Sequence, residues 1–93
     1  MARLIAQFTG RELGQAVRLS VYDSYLEIAM ESGPEGVAVR VPMEELGRVA
    51  VEEVVGIPML IIEDVEGILV AGLRMEAPDA RQAESLIGQL RES

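Results

Sequence analysis

The side chains of this chain that could do chemistry are almost all carboxylates. Sixteen Asp and Glu stand against eight basic residues, all of them Arg (3, 11, 18, 40, 48, 74, 81, 91), and His, Cys, Lys, Asn and Trp are absent. Without His and Cys, the commonest general bases, nucleophiles and zinc ligands are missing. The carboxylates come in neighbouring pairs, Glu44/Glu45, Glu52/Glu53 and Glu63/Asp64. Successive strand residues point to opposite faces, so such a pair does not converge on one substrate without a bulge. Solvated edges that resist aggregation are the simpler reading. The stretch EDVEG (63–67) offers Glu63, Asp64 and Glu66 to a hard cation, but without the spacing of an EF-hand. TGRELGQ and SGPEG carry two Gly each and lack the Lys and the strand–loop–helix setting of a phosphate-binding loop. The expectation is a protein that is not an enzyme, with no catalytic, cofactor-binding or metal site.

The elements that hold these residues belong to one domain of 93 residues, large enough for a single modest core. A net charge of −8 argues against nucleic acid, which is bound by cations that neutralise phosphates. It argues equally against stable association with anionic membranes, which needs clustered Lys or Arg. Lack of Cys suits a reducing cytoplasm, and lack of Asn and Cys is compatible with a thermophile. Arg3 precedes only the short run Leu4–Ala6, so no signal peptide is visible. The longest apolar runs, Ile57–Ile62 and Ile68–Leu73, are too short to span a bilayer. The start at Met1 and the end just past a terminal helix point to a whole protein.

Hydrophobic periodicity predicts strands at about 2–8, 15–22, 25–31, 37–41, 48–54, 58–63 and 67–75, and a helix at about 78–91. In 2–8, Ala2, Leu4, Ala6 and Phe8 share one face, and TGRELG (9–14) reads as a loop. In the next two strands Val17, Leu19 and Val21 alternate with Arg18, Ser20 and Tyr22, and Leu26, Ile28 and Met30 alternate with Tyr25, Glu27 and Ala29. A hairpin turning at Asp23-Ser24 sets Val21 against Leu26, Leu19 against Ile28 and Val17 against Met30. SGPEG (32–36) is a turn, and Val37, Val39 and Val41 face the core with Arg40 outside. Around Glu52-Glu53 the phase slips, which predicts a bulge or a strand end. MLII (59–62) and GILVAGLRM (67–75) are apolar on both faces, so something must cover the second face. Pro78 and Asp79 suit a helix start, and Ala83, Leu86, Ile87 and Leu90 form its apolar stripe. Gly88 weakens that helix unless it marks a close approach to the sheet.

Seven antiparallel strands followed by one amphipathic helix resemble the pleckstrin-homology-like (PH/GRAM-type) superfamily over essentially the whole chain, in a small microbial stand-alone version. The residues that carry the resemblance are VRLSVYDSYLEI (17–28), VAVRVPMEELGRVAV (37–51) and IPMLIIEDVEGILVAGLRMEAPDARQAESLIGQL (57–90). Within the middle stretch, Val41-Pro42-Met43-Glu44-Glu45-Leu46-Gly47-Arg48-Val49 is similar to the family's strand–Pro–corner–strand connector. The fold this implies is mainly β, a seven-stranded antiparallel split barrel with one C-terminal helix plugging an end. In it Pro42 stops pairing, Glu44 and Glu45 stay in water, and Leu46 drops back as a corner plug. A different small barrel or sandwich remains the competing topology.

The family's lipid-binding members share a basic pattern around the first loop. Here its counterpart has Arg11 and Arg18, with Ser20 where the last Arg would stand, no Lys, and Glu12 beside Arg11. Phosphoinositide binding is therefore not expected to carry over. Protein docking is the remaining expectation, with a homodimer or another protein as partner. Tyr22, Tyr25, Arg18 and Arg40 form one candidate surface. The plainer readings are tyrosines shielding a hairpin tip and Arg18 paired diagonally with Glu27 and Glu31. The two-sided hairpin 59–75 is the second candidate. The competing class is a carrier of a small apolar ligand or lipid in the barrel mouth.

Overall fold

The computed structural model describes residues 2–31 and 38–92. Seven strands run in the order β1 (Leu4–Glu12), β2 (Gln15–Tyr22), β3 (Tyr25–Met30), β4 (Ala38–Pro42), β5 (Leu46–Val54), β6 (Ile57–Asp64) and β7 (Leu69–Arg74), followed by α1 (Ala77–Glu92). All pairings are antiparallel and form one sheet in the order β4-β3-β2-β1-β7-β6-β5. The β1 and β7 strands meet at one residue pair, Arg11 opposite Arg74. The sheet is thus two antiparallel halves joined at a narrow seam and unpaired between β4 and β5. This is a split barrel with a C-terminal helix, as the pattern of elements predicts.

The β2–β3 register is the expected one: Val17 lies opposite Met30, Leu19 opposite Ile28 and Val21 opposite Leu26. Leu19, Val21 and Leu26 are fully buried. They share one core with Leu60, Ile62 and Leu73 of the other half and with Ala80, Ala83 and Ile87 of α1. Removing a Leu or Ile side chain from water contributes about 1.5–3 kcal/mol, so this cluster dominates the stability of the fold. The connector also behaves as read. Pro42 ends β4, a single 3-10 turn spans Met43–Glu45 with both glutamates exposed, and Leu46 is buried at the head of β5. Because β4 pairs with β3 and β5 with β6, this corner carries the chain from one end of the sheet to the other.

Several local expectations give way to backbone pairing. TGRELG is not a loop: Thr9–Glu12 continue β1 opposite Gln15–Arg18, and only Leu13-Gly14 turn. A register shift between Leu4 and Ala6 breaks the alternation, leaving Leu4 44 % exposed. No bulge lies at Glu52-Glu53: the ladder runs through them to the strand end at Val54, the other alternative, and the β5 irregularity lies earlier, between Leu46 and Val49. Val39 is 53 % exposed because β4 is the sheet's edge and nothing among the described residues covers it. The turn expected at 32–36, and Val37, lie outside the described residues. A Cβ on Gly88 would meet nothing within 4 Å, so a close approach to the sheet does not explain that residue.

The helix packs on β5 and β6 from the inner side, with Leu86 and Leu90 against the core. Its side chains also serve the β5 edge. Glu84 Oε2 accepts the Val51 N–H at 3.1 Å, and Arg91 Nη2 donates to the Leu46 carbonyl at 3.3 Å. An edge strand left bare is a template for unwanted pairing, and here α1 blunts it. Among the described residues α1 takes the inward face of the β6–β7 hairpin and does not cover the second, where Leu69 is exposed and Met59 and Ile61 are half-buried.

Candidate functional site

The four residues singled out from sequence all lie on the outer face of β2–β4. Tyr22 and Tyr25 flank the Asp23-Ser24 turn and stack, with ring centroids 4.6 Å apart and planes 20° from parallel. The Arg40 guanidinium lies over the Tyr25 ring, 5.2 Å from its centroid, and donates from Nε to Glu27 Oε2 at 2.9 Å. Cross-strand register explains the contact, since Glu27 sits opposite Arg40 and Tyr25 opposite Pro42. The hydrogen bond to Glu27 raises the Arg40 pKa above its ordinary value, with Tyr25 adding in the same direction. A raised arginine value means that the arginine's share of the stabilisation is lost only as pH climbs through the folded value, far above neutrality, so Arg40 does not switch near neutrality.

Arg18 does not join this cluster. Its Nε is 3.4 Å from Glu31 Oε1, while Glu27 is taken by Arg40. Between them Ser20 is 4 % exposed, covered on the outer face and accepting from Gln7 Nε2 at 3.1 Å. The face is therefore polar and internally satisfied: rings on rings, cation on ring, and each named charge on its counter-charge.

The outer face of β5–β7 is different. A groove of about 580 Å³ runs across it, floored by Ile57, Met59 and Gly72 and walled by the tips of two hairpins, Leu13 on one side and Val54-Val55 on the other. At Gly72 a side chain would intrude on the floor, its Cβ 3.3 Å from Met59 Cε. The wall beside β7 is fixed by Glu12, whose Oε2 accepts the Gly72 N–H at 3.1 Å where β1 has already diverged from β7. Arg11 and Arg74 flank the groove at the seam. Arg11 Nη1 donates to the Gly14 carbonyl at 3.0 Å, and Arg74 has no ion-pair partner among the described residues.

Both hairpin tips are unusual in the same way. Leu13 and Gly14 have φ of 52° and 81°, and Val55 and Gly56 have φ of 53° and 76°. Positive φ at both central residues is the mark of a type I′ turn, where Asn, Asp or Gly are at ease. A branched side chain there is strained by about 1–2 kcal/mol. Yet Leu13 is 98 % and Val55 93 % exposed, so neither recovers that strain through burial within the chain. Sequence reasoning missed both tips. The available signal was the dipeptide X-Gly between two strands with an aliphatic at X.

Of the three acids considered as cation ligands, Asp64 and Glu63 are otherwise employed. Asp64 Oδ1 accepts the N–H of Glu66 and of Ile68, each at 2.9 Å, and Glu63 lies 3.9 Å from Arg48. Arg48 also bonds Glu52, which raises its pKa. No helix among the described residues is long and apolar enough to cross a membrane. In comparison with known proteins, the chain matches no protein-family model and no curated protein.

Proposed function

We propose that this chain is a PH-like, non-catalytic protein-interaction module that docks through the outer groove of β5–β7. The observation that carries the reading is the pair of strained aliphatic hairpin tips, Leu13 and Val55, held in water on opposite walls of an apolar groove. Strain retained at an exposed position points towards function, and aliphatic side chains offered to solvent in a cluster point towards a contact surface. Tyr22, Tyr25, Arg18 and Arg40 become the lesser candidate, because their groups already satisfy one another. A cytoplasmic setting fits a chain without cysteine, and a thermophilic source fits one without Asn or Cys. Phosphoinositide binding does not fit this surface charge.

The test compares proteins bound by the wild-type chain with those bound by Val55→Asp and by Tyr25→Ala. The reading predicts specific partners lost with Val55→Asp and kept with Tyr25→Ala, and the reverse pattern would reject it. The carrier reading predicts instead an apolar mass in native mass spectra of the freshly purified chain.

A further inference from the structure

The β6–β7 loop is held as firmly as the groove. Asp64 accepts two loop N–H groups through Oδ1, its carbonyl accepts the Gly67 N–H at 3.0 Å, and its own N–H donates to the Ile68 carbonyl at 2.9 Å. The Val65 N–H donates to the Glu45 carbonyl at 3.1 Å, tying the loop to the 3-10 corner. So fixed, the loop holds Val65 and Ile68 exposed to water, with exposed Glu66 between them in sequence. A loop needed only to reverse the chain would be served better by polar turn residues. The chain therefore carries a preformed apolar knob bearing an acid and a preformed apolar groove bearing a base.

We infer that the groove receives the 65–68 loop of a second copy of this chain. This inference rests on the groove being a protein-docking surface and names its occupant. Val65 and Ile68 seat between Leu13 and Val54-Val55 over Met59, and the Glu66 carboxylate reaches Arg74, which has no ion-pair partner among the described residues. Each copy holds one knob and one groove, so two contacts related by a two-fold axis close into a dimer with nothing left over. Both elements are rigid before they meet, which limits the ordering cost of association. Charge sets the choice of occupant. In a chain of net charge −8, Arg11 and Arg74 outnumber Glu12 among the groove's charges, Glu12 is held by the Gly72 N–H, and the loop supplies the acid.

The test is the solution mass of the full chain by size exclusion with light scattering across a concentration series, with thermal melts confirming that each variant folds. Wild type is expected to form a dimer whose fraction rises with concentration. Arg74→Glu and Glu66→Arg should each weaken it by about tenfold or more, the scale of a lost interfacial charge pair. Mixing the two single variants should restore a heterodimer, because the reversed groove then meets the reversed loop and the other contact is wild type. The double variant should dimerise by itself. A wild-type monomer at every concentration overturns the inference, and so does a dimer indifferent to both substitutions or one that mixing does not rescue. If such a monomer still binds a foreign protein through Val55, self-docking fails while the docking role of the groove stands.

Discussion

Strands β2–β4 and strands β5–β7 each send every second side chain outward, and the two outward sets differ in what satisfies them. On β2–β4 Tyr22 stacks on Tyr25, Arg40 lies over the ring and pairs with Glu27, and Arg18 pairs separately with Glu31. Beside β5–β7 the aliphatic tips Leu13 and Val55 are almost fully exposed, Met59 is half-buried, and Arg74 has no ion-pair partner among the described residues. Tyrosine and arginine are the residue types most enriched at binding hot spots, yet here the face that carries them is the settled one. Residue type alone does not say whether the groups of a face already have partners.

The contrast can be broken most severely at its rigid support. A Cβ on Gly47 would overlap the Asp64 carbonyl, backbone against backbone, just where the 65–68 loop begins. Gly47→Ala should destabilise the fold by about 3 kcal/mol or more, read as a shifted urea midpoint. Next comes the wall of the groove. Glu12→Ala leaves the partly buried Gly72 N–H without its acceptor, and a loss of about 1–2 kcal/mol is expected in the same assay.

A smaller effect has the opposite sign. Val55→Asn puts into the positive-φ position a residue that tolerates it, so the monomer should gain about 1 kcal/mol. The same change should weaken docking, and a variant both more stable and fully competent to associate would separate the strain from the function. The smallest effect belongs to the settled face. A double-mutant cycle on Tyr22 and Tyr25 should return a coupling of about 0.5 kcal/mol and leave self-association unchanged.

Much of this architecture is legible along the chain, and the reasons are local. Val17, Leu19 and Val21 alternate cleanly against Leu26, Ile28 and Met30, so a one-residue slip would turn the whole set into water. The corner at Pro42–Leu46 combines a residue that cannot donate with one that must be buried. Thr9–Glu12 failed to read as strand because their ladder with Gln15–Arg18 rests on backbone groups, to which polar side chains are indifferent. The phase slip at Glu52-Glu53 marks the strand end at Val54 and no bulge, for the same reason. Alternation places Val39 in the core, but burial at a sheet edge depends on what lies beyond it. The groove was only half visible. An excess of apolar residues in 59–75 announced an unfilled face, whereas the apposition of Leu13 with Val55 and of Arg11 with Arg74 comes from the seam between sheet halves, which no periodicity encodes.

The measurement that bears most directly on the central claim is a dilution series of amide chemical shifts on the uniformly ¹⁵N-labelled chain. The account predicts that concentration-dependent shifts gather at Leu13, Val54–Ile57, Met59, Gly72 and Arg74 and at Val65–Ile68, while Tyr22, Tyr25 and Arg40 stay still. Shifts centred on the tyrosine face, with the groove unmoved, would contradict it.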